Sequence, residues 1–123
     1  MIKIKHGVDV DGLKNVMIEP LLFLHDLHTL CGVDLVITDA ISIRPKKSLH
    51  PEGYAFDWRT RELNDTQVDT IFNLVTVRFN EAYDIVRYDT HGHIEYQRYL
   101  DDQFELDKDA FEKVLGYKIK MVA

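Results

Sequence analysis

The chain has a single cysteine, Cys31. One thiol rules out an intramolecular disulfide. Its apolar neighbours Leu30 and Val33 predict a buried free thiol, as suits a protein made in a reducing compartment. Nothing near it in sequence would lower its pKa, which argues against a nucleophilic role. Positive charge is also scarce: 15 Lys and Arg against 21 Asp and Glu give a net charge of -6. Binding to a phosphate backbone wants a basic face, so no nucleic-acid partner is expected. The short cluster Arg44, Lys46 and Lys47 is all that a DNA-associated reading rests on. Long apolar runs are missing too, none approaching the ~18 residues of a membrane span, so no membrane partner is expected. The lysines of Met1 to His6 are not followed by the apolar segment of a signal peptide. These absences predict a soluble monomer of cytoplasmic synthesis without a signal peptide, which another agent must release if it acts outside. At 123 residues the expectation is one domain, 1–123, without repeats or linkers.

The patterns that are present predict an α+β fold: a small, mainly antiparallel sheet with helices packed on one face. Ile2 to Lys5 alternates as a short edge strand would, its lysines discouraging further pairing. Asp9 to Gly12 reads as a turn, and Leu13 to Cys31 as helical. There Leu21, Leu22, Leu24, Leu27 and Leu30 recur at three- and four-residue steps, Pro20 marks the first turn of a new helix instead of a kink in an old one, and Gly32 is a C-cap. His25 and His28 have a spacing that can hold a metal but are read as surface or core-edge residues. The β-branched run Asp34 to Ser42 is a strand, followed by an irregular loop around Pro45. Ala55 to Arg59 is a second strand, with Phe56 and Trp58 on one face and Ala55, Asp57 and Arg59 on the other. Asn64 with Gln67 forms a capping box for a helix whose apolar stripe is Val68, Ile71, Phe72, Val75 and Phe79. Tyr83 to Tyr88 and Thr90 to Gln97 are strands joined by a tight connection at Asp89 and Thr90. A short helix from about Asp107 to Leu115 and a final edge strand, Tyr117 to Val122, complete the reading.

Chemistry concentrates in two stretches. Ser48-Leu49-His50-Pro51-Glu52-Gly53-Tyr54-Ala55-Phe56-Asp57 has the form SxHxxGxAxD, and His91-Gly92-His93 follows later. Three imidazoles and a carboxylate are a usual donor set for a catalytic zinc, which keeps three protein ligands and an open position. Zinc so held lowers the pKa of water and polarises a carbonyl. His50 and Asp57 serve as two ligands if the loop between them doubles back, and Gly53 permits the backbone angle that this needs. His93 is the third ligand, from a neighbouring strand. His91, one pleat away on the same face, is placed to act as general base or acid. Arg44 is placed to bind a substrate carboxylate or steady an oxyanion. An H-x-H on a strand is alone a weak signal, and His6 is read as structural. The five-position pattern together with H-x-H is much more specific.

Together these motifs resemble the zinc D-Ala-D-Ala metallopeptidases, which share a zinc-site plan with lysostaphin-type peptidases and the hedgehog signalling domain. The resemblance covers roughly Thr38 to Glu95. It implies a hedgehog/DD-peptidase-like fold with Zn2+ held by His50, Asp57 and His93. His91 is then the catalytic non-ligand histidine and Arg44 the substrate-orienting arginine. The run Ile41-Ser42-Ile43-Arg44 stands where the family has an S-G-Y-R-like sequence. Thr90 stands where some members carry the glutamate of E-x-x-H, which leaves proton transfer to His91. The implied substrate is a peptidoglycan stem peptide, cut by a carboxypeptidase or endopeptidase. The implied setting is a phage lysin acting on the bacterial wall after release, or a virion-associated peptidase. The alternative is a catalytically silent zinc-binding or virion structural domain of the same fold.

Overall fold

The computed structural model describes residues 1–41, 53–97 and 119–122, the last four by their backbone. In chain order the elements are β1 (Ile2–Lys5), a 3-10 turn (Asn15–Met17), α1 (Ile18–Leu30), β2 (Leu35–Asp39), β3 (Ala55–Arg59), α2 (Asp65–Phe79), β4 (Tyr83–Arg87), β5 (His91–Tyr96) and β6 (Ile119–Val122). The six strands form one sheet in the order β4-β5-β3-β2-β1-β6. The pairings β4–β5, β5–β3 and β3–β2 are antiparallel, while β1 runs parallel to both β2 and β6. The described residues form a small α+β domain with a mostly antiparallel sheet and two α-helices. The predicted helix near Asp107 and the loop around Pro45 lie outside the described residues.

Alternation in the strands decides which face meets the helices. Ile2 and Ile4 of β1, Leu35 and Ile37 of β2, Phe56 and Trp58 of β3, and Ile94 and Tyr96 of β5 all lie in one buried cluster. The same cluster takes Leu21 and Leu24 from α1 and Val68, Ile71, Phe72, Val75 and Phe79 from α2. The Trp58 ring stacks on Phe72 at 5.2 Å between centroids, and Phe23 meets Phe79 edge-on at 5.6 Å, tying α2 to the sheet and α1 to α2. The stripe read for α2 is the buried one. Its capping box is present: Gln67 N–H donates to Asn64 Oδ1 at 2.8 Å, and Asn64 N–H donates to Gln67 Oε1 at 3.0 Å. Gly32, with φ of +75°, ends α1 in the left-handed conformation that glycine tolerates best.

Four expectations change. β1 is an interior strand, because it pairs with β2 on one side and β6 on the other. Its lysines mark a face instead of an edge: Lys3 alternates with buried Ile2 and Ile4, and its Nζ meets Asp34 Oδ2 at 2.8 Å. The predicted helix from Leu13 becomes a 3-10 turn and then α1 from Ile18, because Lys14 is extended and donates its N–H to Gly53 O at 2.8 Å. The buried face of α1 also turns away from the leucine stripe. Leu21 and Leu24 are buried, but the line continues through His25 and His28, leaving Leu30 84% exposed. Cys31 is free and half-buried against the core, less enclosed than its neighbours in sequence implied.

Burying His28 has an electrostatic consequence. Its Nδ1–H donates to Leu24 O at 2.7 Å, and Nε2 has no hydrogen-bond partner among the described residues. Burial pushes its pKa below the ordinary histidine range, and the Leu24 hydrogen bond opposes this only in part. A histidine with a depressed folded-state pKa leaves the unfolded chain holding more protons just below the unfolded value, so stability rises with pH there. The contribution is therefore present above the ordinary histidine value of 6.5 and is lost as pH falls below it. Chemical denaturation between pH 5 and pH 7 should show stability decreasing toward acid, with a shallower slope in His28→Leu. An unchanged slope would mean that His28 is protonated equally in both states.

Gly92 supplies a second test of the packing. A Cβ there would lie 2.3 Å from the Trp58 ring. Trp58 is fully buried and has no room to recede. Gly92→Ala should therefore destabilise the domain by about 1–3 kcal/mol, the usual cost of overpacking, read as a lower urea midpoint at unchanged m-value.

Candidate functional site

The face of the sheet away from the helices carries the polar side chains of β3 and β5. The antiparallel register pairs Asp57 with His93, Arg59 with His91 and Ala55 with Glu95. Phe56, Trp58, Gly92 and Ile94 occupy the alternate positions and fill the core. Asp57, Arg59, His91, His93 and Glu95 are thereby held on the opposite face by a two-residue period. The strands also meet β2, where Asp39 pairs with Asp57 across a bulge.

His93 sits between two carboxylates. Its Nδ1 lies 2.7 Å from Asp57 Oδ1 and its Nε2 lies 2.8 Å from Glu95 Oε1. The side chains of Asp57 and His93 are 10% and 12% exposed, so these contacts are mostly shielded from water. Burial works against the charged imidazole. The hydrogen bonds and charges of Asp57 and Glu95 outweigh it and hold the His93 pKa above the ordinary range. A doubly protonated ring then donates to both oxygens.

His91 is more accessible. Its Nε2 faces Asp57 Oδ2 at 3.8 Å, and its Nδ1 lies 3.1 Å from Thr90 Oγ1. The β4–β5 hairpin turns tightly at Asp89 and Thr90, with Tyr88 N–H donating to His91 O at 2.9 Å. That turn brings the Tyr88 ring onto the His91 imidazole, stacked at 4.7 Å and 19°. The imidazole is thus held by a ring on its face and a hydroxyl at one nitrogen, leaving its other nitrogen toward the carboxylate.

Three of the five residues singled out from the sequence are therefore assembled: Asp57, His91 and His93. His50 and Arg44 lie outside the described residues, as does Ser48. Gly53 has the backbone conformation foreseen for it, with φ of +83°. A Cβ at that position would also lie 2.0 Å from Gly12 O, so the residue is required by space as well as by angle. The structure adds Glu95, Thr90, Tyr88 and Arg59. Glu95 was visible as the next same-face position of H-x-H-x-E, and Arg59 as the same-face successor of Asp57. Thr90 and Tyr88 owe their places to the hairpin, which a sequence pattern locates only loosely.

Among the described residues no group of three or more His, Cys, Asp or Glu side chains is arranged to hold a metal ion. The described pair Asp57 and His93 nevertheless has donor chemistry suited to zinc. A tetrahedral zinc with N and O ligands near 2.0–2.2 Å separates its donors by roughly 3.3 Å, and these two atoms stand 2.7 Å apart. A shift of a few tenths of an ångström at each side chain makes up the difference. Glu95 on the far nitrogen is the carboxylate partner that metal-binding histidines commonly have. No protein-family model matches the chain, and neither a curated protein nor a solved structure does.

Proposed function

We propose that this chain is a zinc-dependent peptidase acting on peptidoglycan stem peptides, with a hedgehog/DD-peptidase-like arrangement of its sheet and site. The observation that carries the reading is the seat of His93 between Asp57 and Glu95, with His91 facing the same Asp57. This pairing lies within the SxHxxGxAxD and H-x-H motifs. The zinc ligands in this reading are His50, Asp57 and His93. When bound, the metal supplies Lewis acidity and a water of lowered pKa.

The chain's own residues do the rest. Glu95 accepts the hydrogen bond of His93 Nε2–H, which fixes the tautomer and leaves Nδ1, beside Asp57 Oδ1, as the atom that would meet the metal. His91 Nε2 is the site for accepting a proton from the attacking water and returning it to the leaving amine. Thr90 and the Tyr88 ring hold that imidazole in place. Arg44 binds a substrate carboxylate or the developing oxyanion. The setting proposed with it is a phage lysin released into the wall, or a virion-borne peptidase.

Purified protein should contain one zinc per chain by elemental analysis and should release amino groups from peptidoglycan. Asp57→Asn and His93→Ala should lose the metal. Glu95→Gln should weaken zinc binding by roughly 10–100-fold, the usual effect of removing a carboxylate partner. Retained stoichiometric zinc in His93→Ala or in His50→Ala would overturn the ligand set.

His91→Ala separates catalysis from metal binding. It should keep its zinc and lose cleavage by roughly 10²–10⁴-fold, the range for a general acid–base. Stoichiometric zinc in the wild type with no cleavage of any stem peptide would instead identify a silent zinc-binding or virion structural domain.

A further inference from the structure

Arg59 is the least satisfied charge on the site face. Its side chain is only 15% exposed, yet its guanidinium makes no hydrogen bond among the described residues. The nearest carboxylate, Glu62 Oε1, is 3.7 Å from Nη1. Other arginines of the domain are answered closely: Arg87 by Asp69 at 2.5 Å, and Arg78 by Glu19. A guanidinium offers five donors in a planar fork, and withdrawing them from water without acceptors is costly. Such a group is matched in shape to a carboxylate.

A cavity lies in front of it. It has a volume of about 380 Å³ and is lined by Arg59, Lys3, Val36, Glu62 and the Gly32–Asp34 connection. Lys3 does not compete for a ligand, since Asp34 Oδ2 holds its ammonium at 2.8 Å and Asp34 Oδ1 meets the chain's amino terminus at 3.4 Å. The volume is at the small end for ligand sites and suits one or two amino-acid residues. The larger cavity of about 480 Å³ beside the β4–β5 hairpin has two arginines on its walls, but both are answered, Arg61 by Glu62 at 3.2 Å and Arg87 by Asp69 at 2.5 Å.

Position relates the cavity to the site. Arg59 follows Asp57 by two residues on β3, about 6.6 Å along a strand, and stands directly opposite His91 in the β3–β5 register. An extended peptide covers that distance in about two residues. We propose that Arg59 and this cavity form a subsite for the free terminal carboxylate of the substrate, one or two residues beyond the cleaved bond. The inference rests on the peptidase reading and sharpens it: the subsite favours a chain end, so the activity is that of a carboxypeptidase. Arg59 is a specificity residue here, separate from the ligand and proton-transfer groups, and it leaves the developing oxyanion to Arg44.

The test compares stem peptides ending in a free carboxylate with their carboxamides, using zinc-loaded wild type, Arg59→Met and Arg59→Lys. Methionine keeps the apolar stem and removes the charge. The wild type should prefer the acid. Arg59→Met should raise KM for the acid roughly 10–100-fold, the scale of one lost charge-assisted contact, while KM for the amide and both kcat values stay near wild type. Arg59→Lys should recover part of the loss.

A second readout does not need turnover. N-acetyl-D-alanine, but not its carboxamide, should shift the Arg59 Nε–H resonance in ¹⁵N-labelled protein, and Arg59→Met should lose that binding. Acid and amide binding alike, or the acid binding Arg59→Met as well as wild type, would overturn the subsite. Arg59-dependent binding in a protein that cleaves nothing would uphold the subsite and count against the peptidase reading alone. Zinc content and the circular dichroism of each variant confirm that the comparisons are made on folded protein.

Discussion

The register between β3 and β5 places Trp58 against Gly92 on one face and Asp57 against His93 on the other. The two contacts cannot be set independently, because a slip of one residue would exchange the faces of the strand. A ring that fits only over a glycine therefore fixes the position of a carboxylate against an imidazole. The core pins Trp58 through Phe72 of α2, so a helix on the opposite face of the sheet contributes to the geometry of Asp57 and His93. Precision at the polar face derives from close packing at the apolar one.

A charged cluster on a sheet face needs internal balance. His93 is enclosed enough that its charge would be costly alone, and the two carboxylates beside it reverse that cost. His28, enclosed to a greater degree in α1 but given only a backbone carbonyl, shifts the opposite way. Both rings are shielded from water, His28 more so, and the deeper burial with a single carbonyl favours a neutral ring where two carboxylates favour a cation. Burial and partners together set one histidine on the polar face and the other in the core.

Much of this was legible in the residues. The α2 stripe and capping box, the alternation of β3 and β5, and the shared face of Asp57, His91 and His93 follow from periodicities of 3.6 and 2. What escaped depended on tertiary pairing. β1 looked like an edge because its lysines alternate, whereas β6, distant in sequence, covers its second side. The leucines of α1 predicted the wrong buried line, since Leu22 and Leu27 are only partly buried and His25 and His28 take inward positions. Hydropathy has no means of ranking a histidine above a leucine for burial when the helix orientation is set elsewhere. At the site, residue types and face were readable, but the pairing of His93 with Glu95 and the stacking of Tyr88 on His91 needed the hairpin geometry.

The parallel pairing of β1 with β6 joins Ile2 to Ile119, so two strands from nearly opposite ends of the chain must meet. Loop-closure entropy for such a contact is paid before any ladder bond rewards it, which places the pairing late in folding. β1 precedes the other five strands in sequence, so one of its ladder sides stays open until β6 has been made. The antiparallel half, β3 to β5, is local and can assemble in the meantime. The candidate site thus lies in the part of the domain that forms early, and the order of folding keeps it apart from the slow closure of the sheet.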